Sequence, residues 1–116
     1  MSDVKITVGG PMEDQASERF VSAWRRAERG EVFDERYLAF ESWDALARVL
    51  TSKRMELLGY VRRHTVTSVR GLAKALGRDY SNVHADVRAL SAAGLLNTGD
   101  GGLQANYDVI ETKIAI

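Results

Sequence analysis

Polar and apolar residues alternate at the start of the chain and then repeat with a helical period along most of its length. Val4, Ile6 and Val8 alternate with Lys5 and Thr7, which predicts a short strand ended by Gly9-Gly10-Pro11. From about Met12 to Arg29, the residues Ala16, Phe20, Ala23, Trp24 and Ala27 form an apolar stripe at helical spacing, closed by Gly30. Glu31 to Glu41 is acidic and aromatic, carrying Phe33, Tyr37 and Phe40. Ser42 is placed to cap a short helix through Trp43, Leu46, Val49 and Leu50, and Thr51 or Ser52 to cap another whose Leu57, Leu58 and Val61 face inward.

The strongest pattern runs from Ser68 to Leu96. Val69, Leu72, Ala73 and Leu76 fall at i, i+3, i+4 and i+7, so the first helix there has one apolar face, with Arg70 and Lys74 off it. Ser68 caps its start, Gly77 supplies the left-handed residue that ends it, and Asp79 caps the next helix. In that second helix Val83, Val87 and Leu90 form the inward stripe, leaving Ser81, Asn82, His84, Ala85 and Arg88 on other faces. Its only acids are Asp79, used at the cap, and Asp86. Such a pair is a helix-turn-helix, and short polar residues near the leading end with an arginine two turns in suit a helix that approaches base edges. Ala93-Gly94 closes the helix. Leu95 to Thr98 then predicts a strand, Gly99 to Gly102 a turn, and Leu103 to Val109 a returning strand, the order of a winged helix.

These residues carry a resemblance. The stretch from roughly Leu50 to Val109 resembles the winged helix-turn-helix of MarR-like bacterial and archaeal transcriptional regulators. LAKALGRDYSNVHADVRALSAAGLL is most similar to a small group of predicted regulators, some encoded beside toxin genes and taken to be antitoxins. DYSNVHADVRAL is the most specific part, and ERFVSAWRRAERGE and FESWDALARVLTSKRMELL resemble the same group. The resemblance implies a dimeric regulator that binds double-stranded DNA, with a cognate toxin as a further partner. Two positions depart from the pattern: Gly71 stands where a glutamate would complete a capping box after Ser68, and the expected wing tip carries Asp100 and no Arg or Lys.

Composition narrows the class. At 116 residues and 45% hydrophobic the chain suits one compact domain with one core and an extension. It has no cysteine, so disulfides and thiolate metal sites are excluded, in keeping with a cytoplasmic location. No segment approaches the roughly 20 apolar residues needed to cross a bilayer, so no membrane association is expected. Net charge is zero, which alone argues against a nucleic-acid binder, but its distribution is uneven. From Arg48 to Arg88 there are nine basic residues against Glu56, Asp79 and Asp86, a net charge of +6, while residues 1–47 carry −4 and residues 89–116 carry −2. Basic charge is thus concentrated on the helix-turn-helix.

Enzymatic readings find no pattern to rest on. His64 and His84 have no second ligand at metal spacing, and His64 is expected to end a helix. Gly99-Asp100-Gly101-Gly102 lacks the Lys-Ser/Thr of a phosphate loop and precedes a strand. No enzyme activity, metal or cofactor is expected.

The chain is therefore expected to be mainly α with a small β-wing (α+β): an N-terminal strand and helix extension over 1–47, a winged helix-turn-helix over 48–110, and a C-terminal strand over 111–116. Ser81, Asn82, His84 and Arg88 are expected to read bases, with Arg70, Lys74, Arg78 and Tyr80 on phosphates. Phe20, Trp24, Val4, Ile6 and Val8 are expected either to thicken the monomer's core or to form a homodimer or partner interface. Thr112 to Ile116 would pair with Val4 to Val8, within one chain or across a dimer. Two functions follow: a sequence-specific regulator that represses its own gene, or a protein-binding module whose acidic N- or C-terminal segment neutralises a toxin.

Overall fold

The computed structural model describes residues 2–9 and 34–116. Its elements, in chain order, are β1 (Ser2–Val8), β2 (Asp34–Phe40), α1 (Trp43–Val49), α2 (Ser52–Arg63), α3 (Val69–Leu76), α4 (Tyr80–Ala92), β3 (Asn97–Gly99), β4 (Gly102–Gln104) and β5 (Val109–Ile114). The class is α+β. The helix expected over residues 12–29, with Phe20 and Trp24, lies outside the described residues. None of the described helices is long and apolar enough to cross a membrane.

The chain divides into two compact units. The first comprises the described residues up to Leu46 together with Tyr107–Ile116, and the second is Ala47–Asn106.

In the first unit a parallel sheet runs in the order β2-β1-β5. Val4 lies opposite Arg36 and Ile110, Ile6 opposite Leu38 and Thr112, and Val8 opposite Phe40 and Ile114. The C-terminal strand therefore pairs with β1 inside one chain, and it begins at Val109. Val4, Ile6 and Val8 are each no more than 2% exposed. A central strand with an apolar row on one face buries that row within its own fold. Those three residues belong to the buried core of the single chain. β2 lies in the acidic, aromatic stretch, where no strand was signalled.

The second unit is built on helix caps that the sequence encodes locally. Thr51 accepts from the Arg54 amide at 3.3 Å and starts α2, which turns Leu57, Leu58 and Val61 into the core. His64 ends α2, its amide donating to the Tyr60 carbonyl. The core is completed by Val66, Leu72, Ala73, Val83, Val87, Leu90, Leu95, Leu96, Leu103 and Ala105. Each fully buried Val or Leu contributes about 1.5–3 kcal/mol.

β3 and β4 form an antiparallel hairpin with Asn97 opposite Gln104 and Gly99 opposite Gly102. The returning strand expected to reach Val109 stops at Gln104, because β3 begins at Asn97 and offers nothing beyond it to pair with. Val109 belongs to β5 instead. The chain turns toward β1 where the Asp108 amide donates to the Ser2 carbonyl at 2.7 Å.

Candidate functional site

α3 and α4 meet across Gly77-Arg78-Asp79. The Ser68 hydroxyl accepts from the Gly71 amide at 3.0 Å, starting α3. Gly77 adopts φ 64°, and its amide donates to Lys74 while the Arg78 amide donates back to Ala73, so the last carbonyls of α3 are satisfied. Asp79 then accepts from the Asn82 amide at 3.2 Å and starts α4. At the far end the Gly94 and Leu95 amides return to Ser91 and Leu90, closing α4 the same way.

Inside this pair lies an ionic cluster. Asp86 accepts from Arg78 at 2.7 Å and from Arg54 at 3.0 Å, with side-chain exposures of 13% for the acid and 18% for each arginine. Burial alone would raise the Asp86 carboxyl, but the hydrogen bonds from Arg78 and Arg54, with the charges of both, outweigh it and hold the group below its ordinary value. Arg54 also donates to the Arg48 and Val49 carbonyls at 2.8 and 3.1 Å, tying the end of α1 to α4 through Asp86. The effect on the surface is direct: the one carboxylate in the body of α4 is turned inward.

The exposed residues of α4 are Tyr80, Ser81, Asn82, Ala85, Arg88 and Ala92. Ser81, Ala85 and Arg88 follow one another at i, i+4 and i+7 along one line of the helix. His84 is half-buried, its ring tilted against Tyr80 with centroids 5.7 Å apart. The Arg70 guanidinium stands 5.6 Å from the centre of the Tyr80 ring, linking the outer sides of α3 and α4 by a cation–π contact. Lys74 is exposed on α3.

The hairpin is fastened to the segment between α2 and α3. Leu103 pairs with Val66, its amide donating to the Val66 carbonyl at 2.9 Å. Gly102 at φ 97° passes so close that a Cβ there would lie 2.1 Å from the Val66 carbonyl oxygen. The hairpin tip, Asp100-Gly101, is exposed and carries no cation.

The structure thus brings Ser81, Asn82 and Arg88 onto one outer face, and sets Arg70, Tyr80 and His84 in a row of contacts beside it. Arg78 is drawn away from that surface to Asp86. Sequence reasoning missed Arg54, which lies 32 residues from Asp86 along the chain. Among the described residues, no group of three or more His, Cys, Asp or Glu is placed to hold a metal ion. The exposed set offers a hydroxyl, a carboxamide and guanidinium groups, with the half-buried His84 imidazole beside them, which suits hydrogen bonding to a polar ligand edge and to anions.

A family model described as HVO_A0114 matches residues 49–112. The chain belongs to the HVO_A0114 family. The region shared with the HVO_A0114 model takes in α2, α3, α4, the hairpin and β5 as far as Thr112, and leaves out β1 and β2. No curated protein and no solved structure matches this HVO_A0114 chain.

Proposed function

We propose that this protein is a sequence-specific, DNA-binding transcriptional regulator of the winged helix-turn-helix type that represses its own gene, with α4 entering the major groove. The observation that carries the reading is the outer face of α4. Ser81, Asn82 and Arg88 are exposed there, and Asp86 is withdrawn to Arg54 and Arg78, so nothing on that line repels phosphate.

The order of elements supports it: α2, the Val66 bridge, α3, a three-residue turn, α4 and a hairpin follow the plan of a winged helix. Arg88 carries the planar fork that matches guanine O6 and N7, and the Asn82 carboxamide matches adenine N6 and N7. Ser81 and His84 complete the reading edge. Arg70, Lys74 and Tyr80 would hold the phosphates that flank the inserted helix. Arg78 acts differently from expectation in this reading, holding α4 through Asp86. With Asp100 at its tip, the hairpin adds no cationic grip on the minor groove.

The test is fluorescence anisotropy of the purified protein on the DNA upstream of its own gene, against a scrambled duplex, at two salt concentrations near physiological. Selective, salt-dependent binding is expected. Arg88→Ala should lose about 1–3 kcal/mol on the preferred duplex and relax one base position, whereas Lys74→Ala should weaken both duplexes alike and reduce the salt slope by about 1. Unchanged binding of Arg88→Ala to both duplexes would remove α4's outer face from the interface. The toxin-neutralising alternative draws on an acidic N- or C-terminal segment, and most of the N-terminal one lies outside the described residues.

A further inference from the structure

Among the described residues β5 is an edge strand whose side chains are exposed at five of its six positions, with Ile110 half-buried. Ile114 is 49% exposed and Val109 38%. The backbone of this edge has a defined direction. The Ala115 amide donates to the Val8 carbonyl at 2.9 Å, and Ile114 is in register with Val8. With a period of two along a strand, the amides and carbonyls of Glu111 and Lys113 turn toward β1, and those of Ile110, Thr112 and Ile114 turn to the open side.

We propose that this open edge of β5 pairs antiparallel with the same edge of a second copy of the chain, around a two-fold axis at Thr112. Hydrogen-bonded pairs in an antiparallel ladder require outward-facing residues on both strands, so the central registers place the axis at Glu111, Thr112 or Lys113. An axis at Glu111 sets Glu111 against its own copy, and an axis at Lys113 does the same with lysine. Like charges directly opposite are destabilising. The register centred on Thr112 has neither fault. It sets Ile110 against Ile114, Glu111 against Lys113, and threonine against threonine, each twice or on the axis itself.

The two faces of the sheet agree with this register. Ile110 and Ile114 share the face of Val4, Ile6 and Val8, so the isoleucine pairs extend the apolar row across the axis. Glu111 and Lys113 share the face of Lys5, which is ion-paired with Glu111, so the alternation of charge continues from one copy to the next. On the opposite edge, a register about Tyr37, the centre of β2, would set Arg36 against Leu38 and lacks this complementarity. The joined sheet would run β2-β1-β5 and back through its copy as β5-β1-β2, closed by symmetry and not open to further growth at β5. The proposal does not depend on DNA binding.

The experiment is sedimentation velocity on the full chain across a concentration series, with three variants. The parent should sediment as a dimer at about 100 µM and dissociate on dilution. Lys113→Glu and Glu111→Lys each create two like-charge pairs across the axis and should each weaken the dimer by about tenfold or more. An equimolar mixture of the two variants restores opposite charges at both positions and should recover the dimer. Thr112→Pro removes an amide that faces only the open edge, so it should leave circular dichroism unchanged and the chain monomeric. A parent that stays monomeric, single variants that dimerise like the parent, or a mixture that fails to recover would each overturn the proposal.

Discussion

Asp86 occupies the i+3 position of a stripe, Val83, Val87 and Leu90, that is otherwise apolar and buried. A carboxylate on that stripe must find cations, and it finds two. Arg78 has a further nitrogen, Nη1, that is buried with no hydrogen-bond partner, so the cluster already holds more donor than acceptor. Removing the acid leaves two part-buried guanidinium groups without a counter-charge. Asp86→Ala should therefore destabilise by about 1–3 kcal/mol in urea denaturation, and Arg78→Ala by clearly less, because Arg54 still neutralises Asp86. Equal losses would mean that the cluster is not an ionic unit. The sequence shows Asp86 to be the one acid within the body of α4, but not its partners. Periodicity tells which face a residue takes, and says nothing about an arginine 32 positions away.

At the scale of elements, features closed by local bonds were readable and those completed by distant pairing were not. The cap at Ser68, the left-handed Gly77 and the cap at Asp79 each involve residues within a few positions of one another. The length of β4 depends on where β3 begins, and β2 exists as a strand because β1 runs beside it. Leu103, Ala105 and Tyr107 keep an alternation that resembles a strand, and all three are buried, yet ladder pairing with β3 ends at Gln104. Two glycines at positive φ separate the local from the distant effect. A Cβ added at Gly77 would meet nothing within 4 Å, so Gly77→Ala should cost only the backbone penalty of about 1–2 kcal/mol. Gly102→Ala adds to that penalty a collision with the Val66 backbone, and should cost at least about 3 kcal/mol by combining strain and overpacking. Hydrogen exchange gives the discriminating readout: the Leu103 amide, bonded to Val66, should lose protection in the Gly102 variant and keep it in the Gly77 variant.

At the scale of the whole molecule, two compact units within 116 residues imply two partly separable responses to solution conditions. Tyr107 is buried in the first unit, and burial pushes its phenol from 10.0 up to about 12, with Arg36 opposing the shift. The folded state therefore favours the neutral phenol. That contribution is fully present below the unfolded value of 10.0 and is lost as pH rises through about 12. Trp43 belongs to the first unit, and residues 47–106 contain no tryptophan, so tryptophan fluorescence reports on the rest of the chain. The fluorescence-detected stability should fall between pH 10 and pH 12 in the parent and fall less steeply in Tyr107→Phe, which has no proton to lose. The second unit is contiguous, has its own buried set from Leu57 to Ala105, and holds the α3–α4 pair with its ionic cluster intact. A fragment of residues 47–106 should accordingly unfold cooperatively by circular dichroism, at a lower midpoint than the full chain, since a domain of about 60 residues buries a smaller fraction of its surface. It lacks β5, so it should also bind the preferred duplex as a monomer and more weakly. A fragment without a cooperative transition would show that the helix pair depends on the remainder of the chain for its fold.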